Sequence, residues 1–389
     1  MQIRFEIDHL DHTGALIETF RPLRLRWSYR LGNLGIGDIS YQLALSDPLV
    51  TRDGFAAYAT DWQLNMIVDE ADSFPLHAGI HTGATLRNDM GVVDVAGLDW
   101  LHWLEQPYAG FNYVTPPTPT VVRDKTWSAA SGATQEVVVD NLIASLTDPA
   151  YDANGVWLVP DYSGASFAQT MDSRLAYADS ASVLQLVRNV SHLYDPRGFD
   201  FWVDWDKTVR FVGPRAINPA AVSPAYTLTG SGQIVGIPGQ GFQWNNPGPR
   251  ATQTVGAGAG ANNMRGISSS TYAPSVTQYR RWARIANLSG DPGGADLSST
   301  DLIVSQAASQ GYLDRFPQKE LRIVVKPDAV DPADPAAFFF NQVGQALDIT
   351  YDFPPYHLVD AFFFVTGQSF QADSAGNWLC DVTHDQIYT

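Results

Sequence analysis

The stretch Leu23 to Pro48, LRLRWSYRLGNLGIGDISYQLALSDP, decides how the rest of the chain is read. Its first half alternates, with Leu25, Trp27, Tyr29 and Leu31 on one face and Arg24, Arg26, Ser28 and Arg30 on the other. A period of two is the signature of a half-buried strand. After a turn carrying Gly32, Gly35 and Gly37 the alternation resumes, with Ile39, Tyr41, Leu43 and Leu45 inward and Ser40, Gln42 and Ala44 outward. Asp47-Pro48 stops the second strand, because proline offers no N–H to a ladder. The stretch predicts a β-hairpin whose aromatic cross-strand pairs anchor a barrel or sheet.

Working outward, Ile3, Phe5 and Ile7 alternate, His12 to Gly14 turns, and Leu16 opens another strand. Trp62 to Val68 and Gly91 to Val95 add two more, with Gly79 and Gly83 punctuating a loop between them. Many short strands favour a small antiparallel barrel, which hides its edges by closing. At Leu98 the period changes: LDWLHWLEQ sets Leu98, Leu101 and Trp103 or Leu104 on one side of a short helix. The prolines of Thr115 to Thr120, TPPTPT, make a stiff boundary. Residues 1–117 are therefore expected to form an N-terminal β domain.

Residues 118–222 read as an α/β domain. Thr134 can cap a helix through Leu146, and a stronger one follows Asp179-Ser180, with Val183, Val187, Val190 and Tyr194 at helical spacing before Asp195-Pro196 ends it. GFDFWVDW, Asp206-Lys207 and TVRFVG make a hairpin. Residues 223–389 return to β character, with strand candidates at Tyr226–Leu228, Gly241–Trp244, Ala251–Val255, Leu321–Val325, Ala346–Tyr351, Phe362–Thr366 and Trp378–Thr383. A helical insertion is expected at about 290–318, with its helix from about Asp301 to Gln310, and a short helix at Asp334-Pro335 carries Phe338, Phe339 and Phe340. The expected class is mainly β with an α/β module.

The 389 residues include 41 acidic against 24 basic side chains, a formal charge of −17. That balance argues against a nucleic-acid grip, which needs Lys and Arg to displace counterions from phosphates. The single Cys380 excludes an internal disulfide and a Cys-rich zinc site, and it shares a strand face with Trp378 and Val382, which reads as a buried, inert thiol. The N-terminal MQIRFEIDHLDHTG has no apolar run of signal-peptide length, and no stretch approaches 18 uninterrupted apolar residues, so cytoplasmic synthesis without membrane anchoring is expected.

Catalytic and ligand motifs are weak. GAGAGANN, Gly256 to Asn263, is neither a dinucleotide fingerprint nor a P-loop and reads as a surface loop. His9 and His12, or His77 and His81, are conceivable metal pairs, but neither lies in an H-E-x-x-H helix, so turn or loop histidines are the better reading. Asp94 with Asp99, or Asp200 with Asp204 and Asp206, could pair as glycosidase carboxylates. The latter three share strand parity and fit a solvated face. There is no G-x-S-x-G elbow. Catalysis, cofactor and metal are not expected. The aromatic patches Trp100/Trp103, Trp202/Trp205, Phe338–Phe340 and Phe362–Phe364 fit core or subunit-interface packing. The Arg24, Arg26, Arg30 stripe is either an ordinary polar strand face or a set of bidentate partners for acidic residues of a neighbouring subunit. Arg24, Arg26, Arg30, Trp27, Phe338, Phe339 and Phe340 are the candidate interface residues.

The W-x-x-R of Trp27 to Arg30, followed by L-G-N-L-G, an alternating strand and Asp47-Pro48, resembles the opening domain of central tail-hub, or baseplate-hub, proteins of long-tailed phages, nearest to minor tail proteins of actinobacterial phages. The resemblance extends to the order of the later segments. It implies two small barrel-like domains around the α/β domain, and a ring, most simply a homotrimer, between tail tube and tip. It also implies as partners the distal tail or tail tube protein, the C-terminus of the tape-measure protein, tip or receptor-binding proteins, and genomic DNA passing through unbound. A virion location and a structural role follow, with an acidic lumen letting DNA slide. The rival readings are a sugar-binding receptor module using exposed tryptophans and a cell-wall-degrading tail enzyme.

Overall fold

The computed structural model describes continuous stretches at 3–47, 61–70, 72–106, 158–165, 182–193, 199–213, 251–257, 267–271, 280–287, 320–325, 346–353 and 356–386, with shorter pieces at 50, 126–128, 133–134, 136–137, 139–140, 142–143, 170–171, 174–176, 227–229, 243–245, 276–277, 339 and 343–344. Seven N-terminal strands are β1 (Ile3–Leu10), β2 (Leu16–Phe20), β3 (Arg24–Arg30), β4 (Asp38–Ala44), β5 (Asp61–Val68), β6 (Asp72–Arg87) and β7 (Val92–Asp99). They run side by side as β3-β4-β7-β6-β5-β1-β2. The hairpin of β3 and β4 is present, with Leu25 opposite Tyr41 and Trp27 opposite Ile39. All eight inward residues expected of it are buried except Leu45, which is half-buried and packs against the core.

The sheet does not stop at β3. Its free side pairs antiparallel with the long strand Tyr356–Asp373, so that Trp27 lies opposite Phe370 and Arg24 opposite Asp373. Beyond it come Trp378–Gln386, Glu320–Val325 and Gln243–Asn245, while Ala346–Phe353 and Thr227–Thr229 extend the sheet from the other half of the long strand, giving 13 strands. The two β regions therefore share one open sheet; among the described residues no closed barrel forms. Their core is common as well: the Trp27 ring stacks on Phe370 at 4.6 Å and touches Phe5 at 5.0 Å, while Phe339 sits edge-on to Trp378 at 4.7 Å. Aromatic pairs of this kind add about 0.5–1.5 kcal/mol each beyond area burial. Cys380 is buried in this core as expected.

Gly79 and Gly83 do not punctuate a loop. They lie in β6, a strand of 16 residues. Two bulges interrupt it, one between the Leu64–His77 and Asn65–Pro75 pairs and one between His81 and Gly83. Each bulge shifts side-chain parity by one. Leu76 consequently faces the first core and Ala78 a second one.

That second core belongs to the α/β module. The Val183–Leu193 helix buries Val183, Leu184, Leu186, Val187 and Val190 against Phe199, Phe201 and Phe211, and against Trp100, Leu101 and Leu104 of a 3-10 helix at Trp100–Glu105. The Asp200–Val203 and Thr208–Gly213 hairpin is present as expected, and Val159–Ala165 joins it in parallel. Thr134 lies in a two-residue strand, with helical backbone at Glu136–Val137 just beyond it. The expected proline boundary at Thr115–Thr120, the Asp301–Gln310 helix, Phe338, Phe340 and most of the 256–263 loop lie outside the described residues.

The turn between β3 and β4 is what ties the two cores together. Gly32 donates its N–H to the Phe201 carbonyl at 2.5 Å, and a Cβ on Gly32 would collide with the Phe201 ring. Asn33 Nδ2 donates to the Phe199 carbonyl and to Asp200 Oδ1 at 2.7 and 2.8 Å, and Arg188 Nε donates to the Gly32 carbonyl at 2.6 Å.

Candidate functional site

The outward face of β3 carries the charged residues singled out from the sequence. Register aligns Asp373, Arg24, Gln42, Asp94 and Thr85 in one row across five strands, and Gln371, Arg26, Ser40, Ala96 and Gly83 in the next. Residues of these rows line a broad groove together with Met90, Asn377 and Leu379. Gln42 Nε2 donates to Asp94 Oδ1 at 2.8 Å, and Arg87 pairs with the same carboxylate. Asp373 is engaged by its own turn, accepting from the Ala375 N–H and from Asn377 N–H and Nδ2, and those bonds hold its carboxyl below the usual range. Arg24 and Arg26 are exposed and form no ion pair among the described residues. Arg30 is also exposed, but Ser28 between it and Arg26 is buried, its hydroxyl bonded to Asp38, so the three arginines do not form one continuous stripe.

Trp27 and Phe339 cannot present surface to a neighbouring chain as they stand. Both are fully buried within this chain. The aromatic–aliphatic alternation that made Trp27 conspicuous is satisfied by Phe5 and Phe370 instead.

The histidines are arranged differently from either sequence pair. His12 sits in the exposed turn after β1, whereas His9 on β1 and His81 on β6 meet across Tyr41 of β4. The Tyr41 hydroxyl lies 2.5 Å from His9 Nε2 and 2.9 Å from His81 Nε2, so it can donate to one ring and accept from the other. Burial, with His81 nearby, pushes His9 down to about 3. His77 is buried between Tyr29 and Trp62, and burial pushes it down to about 3 also. No group of three or more metal-ligating side chains gathers among the described residues.

The paired carboxylates serve structure. Asp99 caps the 3-10 helix through the Leu101 N–H at 2.9 Å and accepts from the Gly37 N–H at 2.7 Å, and burial raises it to about 7. Asp94 lies five residues earlier on β7 and serves Gln42 and Arg87, away from those contacts. Asp200 is buried on Asn33 and is not part of a solvated face, while Asp204 pairs with Arg210. Trp100 is buried with its Nε1–H on the Trp205 carbonyl at 3.3 Å, and Lys207 lies over its ring.

These pKa shifts have a measurable consequence. His9 and His77 stay neutral when folded but titrate near 6.5 when unfolded, so unfolding takes up protons between about pH 6.5 and 3 and their contribution to stability is lost as pH falls. Asp99 acts oppositely: its folded carboxyl keeps a proton that the unfolded one releases, so its contribution is lost as pH rises towards 7. Replacing His77 by Gln removes one uptake proton, and the slope of unfolding free energy against pH between 6 and 4.5 should flatten by about 1 kcal/mol per pH unit. Urea titrations across that range check this; identical slopes would mean His77 titrates normally in the fold.

No protein-family model and no curated protein matches the sequence. Solved structures do. The chain is similar to the tail protein from Neisseria meningitidis MC58, with 11% identity, a TM-score of 0.61, and 99% of this chain and 96% of that chain covered. It is similar to the 43 kDa tail protein of prophage MuSo2 from Shewanella oneidensis, with 10% identity, a TM-score of 0.59, and 98% of each chain covered. A PdpA–VgrG complex aligns with all of this chain and 66% of its own, at 8% identity and a TM-score of 0.50. The fold is thus the one these tail proteins have.

Proposed function

We propose that the chain is a structural hub protein of a phage tail, assembling as a ring, most simply a homotrimer, that joins the tail tube to the tip and leaves a passage for DNA. The observation that carries this reading is the end-to-end correspondence, in both directions, with two tail proteins. Residues 1–117 and 223–389 would be the two β halves that share the open sheet and 118–222 the α/β module beside them, with the insertion at about 290–318 reaching from the second half. The siphovirus type, with actinobacterial-phage minor tail proteins as nearest kin, rests on the sequence resemblance. The expected neighbours are the distal tail or tail tube protein, the tape-measure C-terminus and tip or receptor-binding proteins, in a virion assembled in the host cytoplasm. The role is mechanical: symmetric contacts hold the channel, and a net charge of −17 per copy keeps passing DNA from sticking.

Arg24 and Arg26 in the groove, with Arg30 farther along β3 outside it, are the proposed interface cations. Arg26, exposed and without an ion-pair partner among the described residues, is the test position. Arg26→Glu should weaken self-association in sedimentation velocity, by more at low salt than at high salt. Unchanged sedimentation would remove Arg26 from the interface.

A further inference from the structure

Arg24 and Arg26 share a sheet face with two carboxylates, yet neither arginine has an ion pair among the described residues. The register shows why. Asp373 lies directly opposite Arg24, a position where opposite charges ordinarily pair. Its carboxylate is turned into its own turn, with Oδ1 accepting the Ala375 and Asn377 N–H groups at 2.9 and 3.0 Å and Oδ2 accepting Asn377 Nδ2 at 2.8 Å. Asp94, farther along the same row, is held by Gln42 and Arg87. Two guanidinium groups are thus left without an anion while the carboxylates of their row are committed elsewhere. The next row steps down from Arg26 through Ser40, Ala96 and Gly83, all exposed and all small. Three interstrand spacings of about 4.8 Å make this run about 14 Å long, the length of roughly four extended residues. The groove has a volume of about 1300 Å³, beyond the roughly 300–1,000 Å³ of an ordinary small-ligand pocket.

We infer that this groove seats an extended acidic segment of a partner protein, laid across the strands over Ser40, Ala96 and Gly83 with a carboxylate against Arg24 and Arg26. Charge complementarity names the occupant. An arginine fork binds a carboxylate bidentately, and two arginines about 7 Å apart along one strand face can reach the same acidic group. A nucleic acid or other uniformly charged polymer fits worse, because Asp373 and Asp94 lie on either side of Arg24 in its row and would meet the next charges. A sugar fits worse too: Tyr41 and Trp378, the aromatic residues at the groove, are buried and offer no ring to stack on. A second copy is a poorer source of the segment, since strand and hairpin acids such as Glu6, Asp204 and Asp381 already pair within the chain with Arg4, Arg210 and Arg322. The inference deepens the reading of Arg24 and Arg26 as interface cations, and rests on it, by naming what they meet.

The probe is a blocked octapeptide with two aspartates among serines and alanines, titrated to millimolar concentration into the deuterated, isotope-labelled full chain, with its asparagine counterpart and inorganic polyphosphate in parallel. The readouts are the backbone amide signals of Ser40, Gly83 and Ala96 and the Nε–H signals of Arg24 and Arg26, in the wild type, Arg26→Glu and Ala96→Leu. Both substituted positions are exposed, so urea midpoints should stay at the wild-type value. Shifts at these residues with the aspartate peptide and not the asparagine one, with affinity weakened about fivefold or more in each variant, support the inference. Wild-type shifts that are absent, equal for the two peptides or retained in both variants overturn it. Tighter binding of polyphosphate through the same residues would make the groove a polyanion site and overturn it as well. Sedimentation of Arg26→Glu separates this inference from the reading beneath it: if the peptide does not bind but self-association still weakens, the inference falls and the interface cations stand. If neither occurs, both fall.

Discussion

Trp27→Ala should cost about 3–5 kcal/mol of folding stability, the range for removing a large aromatic ring from a packed core. Trp27 has no exposed surface, and its ring is stacked on Phe370 with the planes within 5° while Phe5 closes the other approach. Truncation therefore opens a cavity between the N-terminal hairpin and the strand Tyr356–Asp373, and rigid neighbours from both chain ends line it. Against a usual total of about 5–15 kcal/mol, such a loss leaves a chain close to unfolding. Trp27→Phe keeps a ring against Phe370 and should cost clearly less. The comparison is made from urea midpoints; a Trp27→Ala midpoint equal to wild type would mean that the two chain ends do not share a core.

Gly79→Ala should be nearly as damaging, although it adds only one carbon. A Cβ at Gly79 would press into the Leu98 carbonyl oxygen and lie 2.7 Å from the Asp99 Cα, and these are backbone atoms of β7 that cannot rotate aside. The β6–β7 ladder must part at the point where Asp99 also caps the 3-10 helix. Overpacking of this kind costs about 1–3 kcal/mol, and a backbone obstacle sets the expectation at the upper end. Gly83 in the same strand is the control: a Cβ there meets nothing within 4 Å. Gly83→Ala should be neutral or slightly stabilising, since glycine inside a strand is unfavourable by about 0.5–1 kcal/mol. Equal destabilisation by the two substitutions would contradict the strand assignment of β6.

The same two glycines mark where the sequence stops being legible. Wherever a strand has one wet face, its period of two shows through, as in Ile3–Leu10 with alternating buried and half-buried residues, in the Leu23–Pro48 hairpin and in Trp378, Cys380 and Val382. β6 has two bulges and passes between two cores, burying Leu76, His77 and Ala78 in succession, so no single period survives. Its Pro and Gly residues then read as a loop. The pairing of residues 24–30 with 367–373 leaves no local trace at all, because nothing near either strand records its distant partner.

The candidate site was legible in the same uneven way. The exposure of Arg24 and Arg26 follows from parity alone. The meeting of His9, Tyr41 and His81 does not, since it joins three strands, and spacing in sequence suggested the wrong pairs. Trp27 and Phe339 looked like interface aromatics because the strand that covers Trp27 comes from the far end of the chain.

The ring itself is tested most directly by multi-angle light scattering of the purified chain, with negative-stain images of the same peak. The hub reading predicts a species near three times 42.6 kDa with a central hole. A mass of 42.6 kDa at every concentration, with compact single particles, would contradict it.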